Sequence, residues 1–144
     1  MRRVRDVASA VASVLFGAMW LFAAATKVVW PLGAYEFAGR VVPAGLGAKA
    51  ALIAVITAET LLGAAMAHRA IGAVRGFLLS LVGLAVACGA VFRVKAHAKV
   101  GEIIQCGCYG DLFRGSLDDE LVRNGVMAGL LVVLIAWNRL GRSK

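Results

Sequence analysis

The chain has 144 residues, 61% of them hydrophobic, and a mean hydropathy of +0.84. This composition is far more apolar than a soluble domain of that size requires, and it predicts an integral membrane protein. The formal net charge is +8. The lysines and arginines lie at the ends of apolar segments and in loops, not in a stripe with interleaved aromatic residues, so we expect no nucleic-acid partner. Four membrane-spanning segments use almost the whole length, which predicts a single domain over residues 1–144.

The first apolar segment runs without a charge from Val7 to Thr26 and is followed by Lys27. Its length predicts a membrane-spanning helix over about residues 7–30. Pro31 is expected to end this helix, because proline cannot occupy a helix interior without breaking it. A basic start before an apolar stretch is also typical of a signal peptide, but we expect an uncleaved helix.

Three further apolar segments complete the predicted bundle. The second segment contains one charged residue, Glu59, and the short link after it forces an antiparallel hairpin with the third. Pro43 prevents the first connection from becoming one continuous helix. The fold class is therefore predicted to be an all-α integral membrane protein, a four-transmembrane-helix bundle. The three helices are expected at about residues 50–67, 71–92 and 121–138. Glycines at helix-packing spacing, which let helices approach closely in lipid, are Gly72 and Gly76, Gly76 and Gly83, and Gly125 and Gly129.

Lysines and arginines are balanced between the two sides of the membrane, so the positive-inside rule alone does not decide the orientation. With a cytoplasmic N-terminus, eight of these residues lie inside and eight outside. The basic cluster at Arg2, Arg3 and Arg5 usually dominates because it precedes the first helix, so we expect both termini in the cytoplasm. The longest loop, about residues 93–120, then lies outside, and we expect function there.

Cys106 and Cys108 in this loop are separated by one glycine. Their sulfur atoms can meet only if the backbone turns sharply, which Gly107 permits because it has no Cβ. A disulfide closed in so small a loop is typically exchangeable, so the pair predicts electron transfer by thiol–disulfide exchange beside the membrane. The alternatives are a static disulfide or two unpaired thiols in a turn.

A metal site is a further alternative for the cysteine pair, but two thiolates need two more ligands. His97 is the nearest candidate, nine residues before Cys106, and it has no partner at metal-ligand spacing. We therefore predict no metal. Cys88 lies within the third apolar segment, where a cysteine most often behaves as a small hydrophobic residue.

Glu59 is costly in the middle of a membrane helix unless it faces the bundle interior and has a partner. Lys27 is a candidate, but counting about 1.5 Å per residue from the two helix ends leaves Glu59 roughly 10 Å deeper. A protonated Glu59, hydrogen-bonded within the bundle, is the alternative. Arg123 opens the last helix on the side of the cysteines, where a cation either favours a thiolate or only marks the membrane boundary.

The order of these features resembles the MauE family, within the DoxX-like four-helix membrane proteins, over essentially the whole chain. The most specific part is the run Cys106-Gly107-Cys108-Tyr109-Gly110, followed by Arg123-Asn124 at the start of the last helix. The family usually has phenylalanine at the position of Tyr109, which keeps the aromatic ring. The other matching positions are the run from Trp20 to Lys27, then Glu36, Phe37, Pro43, Glu59 and Gly63.

The resemblance implies a role in disulfide formation or redox maturation outside the cytoplasm, often beside a thioredoxin-like partner. MauE itself is associated with maturation of the small subunit of methylamine dehydrogenase, but nothing in this sequence identifies that pathway. We therefore hypothesise a thiol–disulfide oxidoreductase of the cell membrane in which Cys106 and Cys108 react. The residues expected to shape its pocket are Lys27, Glu59, Gly107, Tyr109, Arg123 and Asn124.

The sequence identifies no cofactor, although the apolar bundle beneath the loop makes a membrane quinone a candidate electron acceptor. The expected partners are the lipid bilayer and either a thioredoxin-like protein or another subunit of a membrane complex. An alternative function is that of a non-catalytic accessory subunit, which stabilises a larger membrane complex and uses the C-x-C disulfide to shape a docking loop.

Overall fold

The computed structural model describes residues 2–42, 46–98 and 116–140. These residues form five α-helices. In chain order they are α1 (Arg2–Val29), α2 (Pro31–Val41), α3 (Leu46–Ala67), α4 (Ala73–His97) and α5 (Leu117–Leu140). All but α2 are long and apolar enough to cross a membrane, which confirms the predicted all-α fold with four membrane-spanning helices.

The short helix α2 is not among the predicted elements. α1 ends at Val29, as Pro31 predicts, but the chain then begins a new helix with Pro31 at its start. A proline is tolerated there because its missing N–H would have no partner within the helix. The predicted loop 93–120 is shorter in the structure, because α4 continues to His97 and α5 already begins at Leu117.

α1 and α3 pack against each other as an antiparallel pair, with glycines at their closest contact. A Cβ placed on Gly17 would lie 2.7 Å from the backbone N of Ala67 and 2.8 Å from the carbonyl O of Gly63. A Cβ on Gly63 would lie 2.8 Å from the carbonyl O of Gly17. Close backbone packing of this kind drives helix association in lipid, where apolar burial contributes little.

The glycine contacts predicted from spacing are present in the third membrane helix and missing from the last. Gly76 and Gly83 of α4 each face a side chain of a neighbouring helix, which a Cβ would approach to 3.1 Å. A Cβ on Gly72, just before α4, or on Gly125 or Gly129 of α5 would meet no described atom within 4 Å. The spacing of small residues therefore does not identify the packed face of α5.

The main core contains residues of α1, α3, α4 and α5, and aromatic and polar contacts join the first three of these helices. The rings of Phe16 and Phe77 meet edge to face, with centroids 6.1 Å apart. Trp20 Nε1 donates a hydrogen bond to Ser80 Oγ at 2.9 Å, and Ser80 Oγ donates to Met66 Sδ at 3.2 Å. These buried polar groups are thereby paired, as membrane helices require. The buried members of the core are Phe16, Trp20, Met66, Phe77, Leu84 and Leu131.

A second cluster lies where α4 ends and α5 begins. Its buried residues are Val91, Val94 and Leu117, and Phe37 and Val41 of α2 pack against them. α2 also lies beside the start of α3, where a Cβ on Gly39 would be 3.9 Å from the Cβ of Ala48. We name this end of the bundle, where α2, the end of α4 and the start of α5 meet, the α2 end. The opposite end holds the start of α1 and the end of α5.

We expect Gly17→Ala to lower the free energy of unfolding by about 2 kcal/mol, because the added methyl group overlaps backbone atoms of α3 that no side-chain rotation can move. Unfolding in detergent micelles, followed by circular dichroism, measures the loss. Gly129→Ala is the matched control, since the same methyl group meets open space there. Equal destabilisation by both substitutions would contradict the role of Gly17 in the α1–α3 contact.

Candidate functional site

A buried ion pair joins α1 to α3 near the α2 end. Lys27 Nζ donates hydrogen bonds to Glu59 Oε1 at 2.8 Å and Oε2 at 2.9 Å, and to the carbonyl O of Ala23 at 3.2 Å. All three N–H groups of Lys27 and both carboxylate oxygens of Glu59 thus have partners. Only 6% of the Lys27 side chain and 12% of the Glu59 side chain is exposed. Such pairing reduces the cost of holding two charges within membrane helices.

The predicted offset of roughly 10 Å between Lys27 and Glu59 is wrong. It assumed that α1 ends and α3 begins at the same depth, whereas α3 begins beside α2, beyond the end of α1. Side chains also lean toward the N-terminus of their own helix. Because α1 and α3 run in opposite directions, Lys27 and Glu59 lean toward each other. The geometry therefore favours the ion pair over a protonated Glu59.

The first turn of α5 contributes a second ion pair. A capping box begins the helix: the backbone N of Ser116 donates to Asp119 Oδ2 at 3.0 Å, and the backbone N of Asp119 donates to Ser116 Oγ at 3.2 Å. The next residue, Glu120, is buried with 1% of its surface exposed. Arg123 Nη2 donates to Glu120 Oε1. Asn124, one turn after Glu120, is also buried.

The two ion pairs form one electrostatic cluster. Lys27 on α1 interacts with Glu120 and Arg123 on α5 as well as with Glu59. Its members among the described residues are two cations and two anions.

The predicted redox segment lies outside the described residues, so its role stays a prediction. Its four candidate residues are Cys106, Gly107, Cys108 and Tyr109. The chain that carries them leaves the described structure after Ala98 and re-enters it at Ser116. Both of these residues are at the α2 end, where the two ion pairs also lie.

Two other candidates from the sequence, Cys88 and His97, lie on α4. Cys88 is a half-buried free thiol on α4. The Nδ1 atom of His97 lies 2.8 Å from the carbonyl O of Arg93 in its own helix. Within the part of the chain that the structure describes, no group of three His, Cys, Asp or Glu side chains could hold a metal ion.

Glu120 is the candidate that sequence analysis missed. The sequence places it in the predicted loop 93–120, where an acidic residue is expected in water. Glu120 is three residues before Arg123 and four before Asn124, a spacing that places the three side chains on one face of a helix. Only the packing of that face inside the bundle shows that Glu120 is buried.

A protein-family model matches nearly the whole chain. It is the model described as methylamine utilisation protein MauE, and it matches residues 5–137. The chain belongs to the MauE family. A search of curated proteins and a search of solved structures each found no match.

Membership in the MauE family confirms the resemblance seen in the sequence. Together with four apolar helices it identifies a multi-pass membrane protein, and it suggests an accessory role in methylamine utilisation. The matched region of this MauE protein includes both ion pairs, the segment with the two cysteines and the cap that begins α5.

We expect Lys27→Met and Glu59→Leu each to lower the free energy of unfolding by about 3 kcal/mol, because each leaves one buried charge without its partner. The double variant Lys27→Met/Glu59→Leu should lose much less than the sum, because neither charge remains. Denaturation of all four proteins in the same detergent measures the coupling. Additive losses would show that the pair contributes no interaction energy.

Proposed function

We propose that this MauE protein is a membrane thiol–disulfide redox protein that supports disulfide formation in exported proteins. In this proposal Cys106 and Cys108 cycle between a dithiol and a disulfide. The observation that supports it is that the chain leaves the described structure at Ala98 and re-enters it at Ser116, and both residues lie at the same end as the buried cluster of Lys27, Glu59, Glu120 and Arg123.

The exchange conserves electrons without a bound cofactor. A disulfide of a thioredoxin-like partner takes two electrons and two protons from the Cys106 and Cys108 thiols, and the pair becomes a disulfide. The pair then accepts two electrons and two protons from a client dithiol, which is oxidised. Glu59 and Lys27 hold α1 and α3 together near the α2 end, and Asn124 lies one turn into α5 from Glu120.

A membrane quinone is the proposed electron acceptor when no disulfide of a partner protein accepts the electrons. Support for this comes from α3 and α5, which expose most of their apolar surface to the surroundings of the bundle. A lipid-soluble carrier could therefore approach the α2 end from the membrane. Two electrons and two protons from the dithiol would convert a quinone to its hydroquinone.

The proposed location is the cell membrane, with both termini in the cytoplasm and the cysteine segment outside. The basic residues Arg2, Arg3 and Arg5 at the start of α1 support this orientation. An extracytoplasmic site also suits disulfide chemistry, because disulfides form and persist in oxidising compartments.

A second candidate is a non-catalytic accessory subunit of a larger membrane complex. The same exposed faces of α3 and α5 favour it, since they leave room for helices of another protein. Purification in mild detergent discriminates between the two functions. A stoichiometric membrane partner, together with a disulfide that does not react with thioredoxin-like proteins, would favour the accessory subunit.

Cys106→Ser and Cys108→Ser should each abolish the formation of disulfides in an exported client protein, because one sulfur cannot complete the cycle. Gel mobility of the client after thiol alkylation measures its oxidation in cells. Cys88→Ser is the matched control and should leave oxidation unchanged. Normal oxidation of the client protein in both single variants would contradict the redox proposal.

A membrane-impermeant maleimide applied to intact cells should label Cys106 and Cys108 only after reduction. The expected result follows from an outward-facing pair that rests as a disulfide. Mass spectrometry of the purified chain locates the label. Labelling that requires permeabilised cells would reverse the proposed orientation.

A further inference from the structure

The hairpin of α3 and α4 turns well before the level at which α1 begins. A Cβ on Gly17 would lie 2.7 Å from the backbone N of Ala67, the last residue of α3. At about 1.5 Å per residue, residues 2–16 of α1 therefore extend roughly 20 Å past the end of α3. The last turns of α5 accompany them, because Ser9 Oγ donates a hydrogen bond to Asn138 Oδ1 at 2.8 Å.

The parts of α1 and α5 that pass the hairpin present apolar side chains to their surroundings. Val7 and Val11 on α1 and Trp137 on α5 are each more than half exposed. Val7 also begins the uncharged stretch of α1, directly after Asp6. Exposed apolar side chains of a membrane helix contact hydrocarbon, and tryptophan is favoured at its boundary. The hydrocarbon region therefore extends to about Val7 on α1.

Two arginines of the hairpin lie inside this apolar level. The rings of Phe16 on α1 and Phe77 on α4 meet with centroids 6.1 Å apart, and Arg75 is two residues before Phe77. Because α1 and α4 run in the same direction, Arg75 lies roughly 10 Å deeper in the membrane than Asp6. Arg69 is in the link between the two helices, and both arginines are exposed. A cation at this depth is costly unless polar groups reach it.

The backbone at Arg69 adopts a conformation that glycine reaches with less strain. Its φ is 55°, in the left-handed region. The backbone N of Arg69 donates to the carbonyl O of Met66 at 3.1 Å, and that of Ala70 donates to the carbonyl O of Ala65 at 2.9 Å. These two bonds form the Schellman motif that ends α3, in which glycine usually occupies the position of Arg69. An arginine there supplies a charge that glycine cannot, which points to a use for that charge.

The opposite end is strongly positive among the side chains that the structure describes. None of its five arginines forms an ion pair with another described residue, whereas cations at the α2 end pair with carboxylates. A guanidinium group is planar and can bind one phosphate through two N–H groups at once. This end therefore has the charge and the donors that a phosphate group requires. Its described charged residues are Arg3, Arg5, Arg69, Arg75 and Arg139, with Asp6 as the acid.

We propose that the α3–α4 hairpin binds the phosphate groups of anionic phospholipids, and that Arg69 and Arg75 hold these headgroups below the usual level of the membrane surface. The Arg75 side chain leans toward the start of its own helix, and hence toward the headgroups, and its apolar stem can remain in lipid. Lipid is the partner because the site is continuous with the apolar helix faces that the bilayer already covers. The site does not depend on the proposed thiol–disulfide function.

The test uses the full-length protein in nanodiscs that contain equal amounts of phosphatidylglycerol and phosphatidylcholine with the same acyl chains. Native mass spectrometry of the released protein measures which lipids remain bound. The wild type should retain phosphatidylglycerol in excess. Arg69→Gln/Arg75→Gln should lower the ratio of bound phosphatidylglycerol to phosphatidylcholine at least about fivefold, the effect of one cation close to an anionic headgroup. An unchanged ratio in this variant overturns the proposal.

Lys49→Gln/Arg93→Gln is the matched control, because it also removes two exposed cations and Arg93 lies on the same helix as Arg75. Both of its positions are near the α2 end, and it should keep the wild-type ratio. An equal loss in the two double variants would show only a general attraction between a basic protein and anionic lipid, and it would overturn a site at the hairpin.

Two further measurements complete the test. Arg69→Lys/Arg75→Lys keeps both charges and should retain most of the preference, which preserves the test if the glutamine variant does not fold. Loss of the whole preference in a lysine variant with wild-type helix content by circular dichroism would show that charge does not hold the lipid. Excess glycerol phosphate in solution should leave phosphatidylglycerol bound. Displacement by this soluble anion would assign the site to a free phosphate compound, and either of these two results overturns the proposal.

Discussion

The contact of α1 with α3 at Gly17 and Gly63 sets the register on which the charged cluster depends. The two backbones approach so closely that a Cβ on either glycine would overlap backbone atoms of the other helix. From this contact, Lys27 and Glu59 are both displaced toward the α2 end, and their side chains lean toward each other. A wider separation of the helices would leave two buried charges without partners, which a membrane does not tolerate.

The two ion pairs at the α2 end differ in what they leave available. In the pair of Lys27 and Glu59, Lys27 Nζ donates to both carboxylate oxygens, and the pair joins α1 to α3. The pair of Glu120 and Arg123 lies within one helix, and Glu120 Oε2 has no donor among the described residues. The first pair therefore serves the packing of α1 on α3.

Local sequence at the start of α5 explains how the buried carboxylate of Glu120 is positioned. The capping box of Ser116 and Asp119 determines where the helix begins, and Glu120 is the next residue. The cysteines lie a short distance before this cap in the chain.

The sequence by itself determined the four membrane-spanning helices, the end of α1 before Pro31 and the identity of Lys27, Glu59, Arg123 and Asn124 as candidates. Apolar segment length, proline and isolated charges are local signals. They are informative in a membrane protein because a spanning helix must be long, apolar and internally hydrogen-bonded. Only the tertiary structure decided that Lys27 reaches Glu59, that Gly17 packs while Gly129 does not, and that Glu120 is buried. These outcomes depend on the offset and rotation of one helix against another. That offset is determined jointly by residues that are far apart in the chain, so no local sequence pattern predicts it.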